Sequence, residues 1–475
     1  MTRARSAVRS VAWNYGGSVA AVVLQLGYTA LTSRLVTPAA FGAYATALTV
    51  AGVLSYLSNS GIGTTLLAAE RLTRPLTSLA LRIGLVSGVL CFLAGQGAAS
   101  ALGLVDAMPE AEPLLRLLAL QFLCAPLAAA ATAALRRCGL VVAVVLLEIT
   151  GQFTGIAVSA TLLISGSGPY GLAVASPLAS GTVLAGSLWL LHRQRLPDGP
   201  RPTVRELLGS SGFFSGHSLF QYMSSSAPLW VTGARLGPTA AGHYSRASMF
   251  TGLPLTFLAT GINRTTTPML AENRGSSPQA VYDVVCAASA VGLVGFGAAA
   301  GLGPAALNLL LGPGWTEAAL LVPVLAVGAA CSLLAAVGDS VDQARDDRRA
   351  LLRSQLCATA AAAVTLGVAA LQGSLLLAAA AAVTAPLCAH AAQLLRWRRH
   401  DTVPVRDVLH AHAVHALAGG SLLVGCRWAS AGHLPLTGLL TGLVTALPLA
   451  GCAFLLRTRL PLYAVARRRG LTPSR

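Results

Sequence analysis

Long, nearly uncharged apolar runs recur along the whole chain, separated by short loops that carry arginine. Crossing a hydrocarbon layer takes a helix of about 20 apolar residues. Fourteen stretches meet that length: 12–34, 41–69, 77–103, 114–135, 140–164, 170–191, 208–233, 241–270, 280–303, 317–340, 350–371, 374–395, 408–428 and 434–456. The weakest division is between the eleventh and twelfth, where only Gln372, Gly373 and Ser374 intervene. Charged residues make up 10% of the chain, against about 25% in a soluble domain, too few to coat a water-soluble globule. The 55% hydrophobic content excludes a disordered chain, which is charged and poor in apolar residues. A membrane barrel needs short alternating strands, and these runs are longer and continuously apolar. The expected fold is an all-α polytopic membrane protein of about fourteen transmembrane helices.

The net charge is +17, and all 33 basic residues are arginine. A soluble protein so basic would suggest nucleic acid. Here the arginines lie between spans, where they meet anionic headgroups instead. With the N-terminus inside, 26 arginines fall on the cytoplasmic side, and only Arg34, Arg116, Arg235 and Arg427 at the outer ends. The positive-inside bias therefore predicts cytoplasmic termini. The acidic loop with Asp106, Glu110 and Glu112 falls outside, in agreement. Arg3, Arg5 and Arg9 lead straight into a full-length span, so the first span is expected to act as its own insertion signal. The nine cysteines are scattered through apolar segments without a CxxC pair, the pattern of small packing residues.

At an offset of 200 residues the chain repeats itself. Gly16 matches Gly216, Ser18 matches Ser218, and Thr32 matches Thr232. Pro38, Ala40, Gly42, Tyr44 and Ala47 match Pro238, Ala240, Gly242, Tyr244 and Ala247. An even number of spans precedes the second copy, so both copies enter the membrane the same way. The reading is two lobes related by a pseudo-twofold along the membrane normal, with substrate between them. The expected organisation is a six-helix lobe over 1–192, a cytoplasmic linker over 193–207 and a second six-helix lobe over 208–400. Residues 401–475 add two helices and a basic tail.

Asn14, Ser18, Gln25 and Thr32 share one face of span 1 at 100° per residue. Ser218, Gln221, Ser225 and Thr232 form the matching stripe on span 7, flanked by His217, Tyr222 and Ser224. Hydrocarbon penalises unsatisfied polar groups, so such a stripe faces a wet cavity or hydrogen-bonds a neighbouring helix. Span 8 carries Asn263 and Arg264 towards its inner part and Arg246 near its outer end. The two arginines are 18 residues apart, five turns, and share a face. Arginine suits bidentate phosphate binding, and snorkelling to headgroups is the alternative for both, as it is for Arg34 at the outer mouth. Asn59 interrupts span 2 and lines the inner cavity or packs a helix. Glu148 in span 5 suits a buried coupling carboxylate or a hydrogen bond to a neighbouring helix. His410, His412 and His415 lack the one-face spacing of a metal site and read as interfacial residues, as does Asp339 near the inner surface. No metal or cofactor is expected. No phosphate-cradling glycine loop with lysine is present, which argues against ATP hydrolysis.

The string Ser33–Tyr44 resembles the opening of polysaccharide transporters. These are the Wzx-type lipid-linked oligosaccharide flippases of the multidrug/oligosaccharidyl-lipid/polysaccharide exporter superfamily. Asn59–Gly63 is similar to the end of their second span, Gly237–Ala247 to their seventh-to-eighth hairpin, and Leu311–Ala318 to their ninth-to-tenth loop. The resemblance covers about residues 8–360. It implies a fourteen-helix, two-lobe fold with a cationic cavity that opens alternately to each side. The chain departs from the family in having no lysine for that cavity.

The function expected from these features is movement of a polyprenyl-pyrophosphate-linked oligosaccharide to the outer leaflet of the cell membrane. Its partners would be membrane lipids and possible polymerases or glycosyltransferases, not nucleic acid. A cation-coupled small-molecule exporter of the same superfamily is the alternative, though aromatics, at 5%, are sparse for a drug cavity. A membrane glycosyltransferase would need a larger outer loop than the one holding Asp106, Glu110 and Glu112.

Overall fold

A computed structural model describes residues 21–58, 62–68, 72–104, 109–199, 203, 212–272, 278–399, 403–430 and 436–445. For 62, 64, 68, 212–215, 217 and 263–272 it describes the backbone alone. Every regular element among these residues is helical. In chain order they are α1 (21–35), α2 (Pro38–Ser58), α3 (Ile62–Ala68), α4 (Arg74–Gly103), α5 (Ala111–Ala119), α6 (Ala125–Arg137), α7 (Val141–Ile164) and α8 (Tyr170–His192). Then come α9 (Gly212–Leu236), α10 (Pro238–Glu272), α11 (Pro278–Leu311, with a π-turn at Ala290–Val294), α12 (Thr316–Ala344), α13 (Arg348–Gln372), α14 (Leu375–Arg399), α15 (Val405–Ser430) and the short α16 (Leu436–Thr445).

Ten spans among the described residues are long and apolar enough to cross a membrane: α2, α4, α5 with α6, α7, α8, and α11 through α15. Their outward faces carry Leu90, Val364, Leu417 and Leu371, each more than 60% exposed. Contiguous apolar surface of that kind is stable against lipid and not against water. The chain is therefore a multi-pass membrane protein. α9 and α10, of 25 and 35 residues, are long enough to cross but too polar to join the ten. Residues 1–20 and 446–475, which hold the start of the first expected span and the end of the last, lie outside the described residues.

The eleventh and twelfth expected spans are separate helices. Gly373 ends α13 in the left-handed conformation (φ 64°), which a residue with a side chain rarely adopts. The Ser374 N–H closes the turn on the Ala369 carbonyl (3.2 Å), and the Ser374 hydroxyl accepts from Leu377 N (3.4 Å). Three residues thus suffice to reverse the chain.

By packing, the chain forms two compact units. The first comprises Met1–Ser226 and Gly237–Gly242, the second Ala227–Leu236 and His243–Arg475. In the first unit, Leu66, Leu72, Ala80, Ala131, Leu135, Val144 and Leu191 form one buried cluster. The repeat motif also meets itself there. α2 and α10 each begin with proline at a position that needs no N–H, Pro38 and Pro238. A Cβ on Gly42 would land on the Pro238 carbonyl, 2.8 Å from Gly242 N. A Cβ on Gly242 would land on the Pro38 carbonyl, 3.3 Å from Gly42 N. The contact is reciprocal, backbone on backbone, which explains why both copies of the motif carry glycine there. Further along, the Tyr222 hydroxyl donates to the Thr49 carbonyl (3.2 Å), and its ring lies 4.9 Å from Tyr56. The first half of α9 therefore packs along α2. In the second unit, Val281, Val285, Leu334, Val337, Val341, Trp397, Val408 and Ala411 join α11, α12, α14 and α15 in a buried cluster.

Hydroxyls inside the helices are mostly satisfied locally. Thr154, Thr161 and Thr365 each donate to the carbonyl four residues earlier, at 2.8–2.9 Å. This lets a polar residue sit in lipid without a distant partner.

Candidate functional site

The polar stripes divide into a buried end and an exposed middle. Thr32 and Thr232, the repeat-equivalent threonines, are both fully buried. Thr32 donates to the Thr29 carbonyl (3.2 Å) and Thr232 to the Pro228 carbonyl (2.6 Å), so this end of each stripe packs against protein rather than lining a cavity. Gln25 on α1 is half-buried. On α9, Gln221 and Ser225 are exposed, and Ser225 donates to the Tyr222 carbonyl (2.9 Å). Asn14, Ser18 and Asn59 fall outside the described residues. His217 lies on α9, and Asn263 and Arg264 lie on α10, at positions described by backbone alone.

The remaining cations and the carboxylate take different places. Arg34 is exposed at the end of α1. Arg246, expected to share an open face with Arg264, is 4% exposed inside the second unit. Its guanidinium lies 5.6 Å from the ring centre of Trp315, which the loop after α11 turns inward. His243 meets the same indole edge-on and stands 3.6 Å from Glu317. The Leu311–Ala318 motif thus builds the wall against which Arg246 is stacked. Glu148 is not the buried carboxylate expected. It is nearly half exposed and accepts two bonds from Arg136 Nη2, at 2.7 and 2.9 Å. α6 ends at Arg137 and α7 starts at Val141, so the short turn between them lets the two side chains meet.

The largest correction concerns the histidines. His410 is exposed, but His415 and His390 are buried, and His412 is half-buried. His390 and His412 Nε2 atoms are 3.1 Å apart. Ser289 Oγ on α11 lies 2.8 Å from His412 Nδ1 and 3.1 Å from His415 Nδ1. His390 Nδ1 is 3.1 Å from Gln393 Oε1. Gln393 Nε2 donates to the Ala335 carbonyl (3.1 Å) and to Asp339 Oδ1 (3.0 Å). Asp339, read from sequence as an ordinary inner-surface acid, also accepts from Ser354 (3.3 Å). One turn on, buried Asp342 is ion-paired with Arg396. Five helices of the second unit, α11 to α15, contribute to this network.

Sequence reasoning missed the network because its members are distant in the chain. A depth signal was nevertheless present. Asp339 lies six residues before Arg345, His390 six before Arg396, and His412 six after Arg406. If the arginines mark the inner surface, all three polar groups sit at one level.

The described residues form membrane-embedded helices, of which α9 and α10 are the less apolar. The chain matches the family described as "Polysaccharide biosynthesis protein" over residues 31–320 and belongs to it, within the multidrug/oligosaccharidyl-lipid/polysaccharide exporter superfamily. No curated protein matches the sequence. Among solved structures, "Lipid II flippase MurJ, inward closed conformation" is similar with a TM-score of 0.71 and 11% identity, covering 95% of this chain and 99% of that one. An inward-facing multidrug resistance MATE family transporter is similar with a TM-score of 0.63 and 15% identity, covering 82% of this chain and 96% of that one. A superfamily transporter from Pyrococcus furiosus follows with a TM-score of 0.58, 16% identity, and 85% and 96% coverage. At these identities the likeness concerns the fold.

Proposed function

We propose that this transporter flips a polyprenyl-pyrophosphate-linked oligosaccharide from the cytoplasmic to the outer leaflet of the cell membrane, by alternating access between two six-helix lobes. One observation carries the reading: a chain of the polysaccharide biosynthesis family has, over nearly its whole length, the fold of a lipid II flippase. Both termini are cytoplasmic in this reading, as the arginine distribution requires. Polymerases or glycosyltransferases of the same surface glycan are its partners.

The physical task is to carry a pyrophosphate and sugars through a layer where a bare charge costs several kcal/mol, while the prenyl tail stays in lipid. A wet, cationic groove open to the side meets it. Gln221 and Ser225 on the exposed middle of α9 supply polar contacts, with His217 earlier on the same helix, Gln25 on α1, and Asn14 and Asn59. Arg264, with Asn263 beside it, is the phosphate contact, and Arg34 guards the outer mouth. Arg246 acts by shaping α10 against Trp315 unless the outward-open state releases it. Glu148, paired with Arg136, is the first candidate for a coupling role in the first unit.

The test is a reconstituted vesicle assay with a fluorescent polyprenyl-pyrophosphate oligosaccharide and a membrane-impermeant quencher. Flipping exposes lipid from the inner leaflet. Arg264→Glu should abolish it and Arg264→Lys retain part, since charge survives without the bidentate fork. If the wild-type chain moves no such lipid while it extrudes an organic cation, the second reading takes over. That reading, a cation-coupled small-molecule exporter, draws on the similarity to the MATE structures.

A further inference from the structure

The buried chain from His415 to Asp339 has a direction, and the direction follows from elementary donor counting. The Ala335 carbonyl only accepts, so the Gln393 amide nitrogen must face it, which leaves Gln393 Oε1 towards His390. His390 Nδ1 must then carry a proton and donate it. If His390 is neutral, its Nε2 accepts, and His412 donates from Nε2. Neutral His412 then accepts at Nδ1, so the Ser289 hydroxyl donates there and accepts from His415 Nδ1–H. The lone pair left at the end, on His415 Nε2, is buried and has no hydrogen-bond partner among the described residues. Every other link is satisfied with all three rings neutral.

The same heavy atoms satisfy a second state that differs by one proton. A proton arriving at His415 Nε2 releases the Nδ1 proton to Ser289 Oγ. Ser289 passes its own proton to His412 Nδ1, and His412 passes its Nε2 proton to His390 Nε2. Each ring then donates where it accepted before. One proton has entered, three bonds have reversed, and the positive charge rests on His390. There it faces Asp339 through the Gln393 amide, with Asp342 already matched by Arg396. The guanidinium that acts on buried Asp339, Arg396, is already paired with Asp342, and a buried carboxylate short of positive charge is costly, so the proton-loaded state supplies charge that the unloaded state lacks.

We propose that His415, Ser289, His412 and His390 form a proton-binding relay in the second unit, with Asp339 as its counter-charge. Its use as the coupling site rests on the transporter reading above; the binding of the proton does not. Other titratable or charged groups lie on the same five helices. They are Tyr282, Asp283 and Cys286 on α11, Glu317, Cys331 and Asp342 on α12, Arg348, Arg349, Arg353 and Cys357 on α13, Cys388, Arg396, Arg398 and Arg399 on α14, and Arg406, Asp407, His410, Cys426 and Arg427 on α15. Asp283 accepts from Gln279 (3.2 Å), and Asp342 and Arg396 neutralise each other.

Trp397 reports on the relay, since the His390 ring stands edge-on to it at 6.3 Å. An imidazolium quenches a neighbouring indole, whereas a neutral imidazole quenches it far less. The experiment is a pH titration of tryptophan emission from the purified full-length chain, starting above the range where histidine ordinarily titrates and carried down to the acid limit at which the chain stays monodisperse. Subtracting a Trp397→Phe variant isolates the one indole. The expected result is a one-proton loss of Trp397 emission as pH falls. It should vanish in His390→Gln, weaken in Ser289→Ala, survive in Ser289→Thr and move to lower pH in Asp339→Asn. Should His390→Gln fail to give a monodisperse protein, His412→Gln must lose the transition instead. A Trp397 signal that is flat with pH, or one that persists in both histidine variants, overturns the proposal. No transport substrate enters the cuvette, so failure here leaves the flipping assay standing, and failure of that assay leaves this one standing.

Discussion

Replacing Gly242 with alanine tests whether the two copies of the repeat motif hold each other in place. The new Cβ would overlie the Pro38 carbonyl, 2.9 Å from its carbon and 3.3 Å from Gly42 N. On Gly42 it would lie 2.7 Å from the Pro238 carbonyl carbon and 2.8 Å from Gly242 N. Ordinary contact starts at 3.4 Å, and the Pro238 carbonyl oxygen is nearer still than its carbon, so at Gly42 the helix starts must move apart. Because backbone and not a flexible side chain blocks the site, the cost belongs to overpacking, about 1–3 kcal/mol. Alanine also raises helix propensity, by about 0.8–1.0 kcal/mol over glycine. Gly252, on the same helix as Gly242, has nothing within 4 Å of its Cβ position and supplies the control. Propensity cancels between Gly242→Ala and Gly252→Ala, and their difference isolates the clash. The assay is thermal loss of the monodisperse peak in detergent. Gly42→Ala and Gly242→Ala should both melt below Gly252→Ala by the equivalent of about 1–3 kcal/mol. The double variant should cost less than the sum, since one separation relieves both sites. If both single variants melt with the control, the reciprocal contact contributes nothing to stability.

Three further outcomes follow from the same structure. Arg396→Ala strands the buried Asp342 carboxylate and should cost about 3–5 kcal/mol, whereas Arg396→Gln with Asp342→Asn should recover part of it; equal melting of the two variants would contradict a buried pair. In a cysteine-free background, Gln221→Cys and Ser225→Cys should react with a membrane-impermeant thiol reagent and Thr232→Cys should not. Reaction of the first two in detergent alone would place that face of α9 against lipid. An alkaline phosphatase fused at the C-terminus should be inactive and one inserted at 105–112 active, and the reverse pattern would refute the orientation drawn from arginine.

Ten of the fourteen expected span positions were legible because hydropathy sets them, and the repeat was legible because its glycines are needed by a backbone contact. The split of spans 11 and 12 was visible too, in Gly373 and Ser374, which serve as a helix stop and start. Arg246 was harder. The sequence offers only its place near the start of α10, and the fold alone shows Trp315, 69 residues on, closing over it. Of the two readings of Glu148, the structure bears out the bond to a neighbouring helix, made by Arg136 on α6. The relay was invisible for a deeper reason. Pattern analysis looks for ligands on one helix face, and this chain takes Ser289, Asp339, Ser354, His390 and His412 one or two at a time from five helices. Tautomer logic also needs every partner before any direction appears.

The two long helices left out of the ten apolar spans bear on where substrate travels. Lipid rewards a helix for its apolar surface and penalises each polar group that protein or water does not meet. Elsewhere among the described residues many polar side chains are met: threonines bond their own helix, and the histidines, Ser289 and Gln393 bond one another. α9 is treated differently along its length. Its far end buries Thr232 against the Pro228 carbonyl, while its middle leaves Gln221 and Ser225 exposed. An exposed glutamine on a helix of this length is stable in a membrane only where water reaches it. The exposed stretch is also flanked by Tyr222, whose hydroxyl and ring are held by Thr49 and Tyr56 on α2, so the face is fixed rather than free to rotate into protein. In the proposed reading, Gln221 and Ser225 on the middle of α9 meet sugar hydroxyls as these exchange bulk water for protein. The exposure of those two side chains, more than any single cation, supports the glycan reading over a hydrophobic drug.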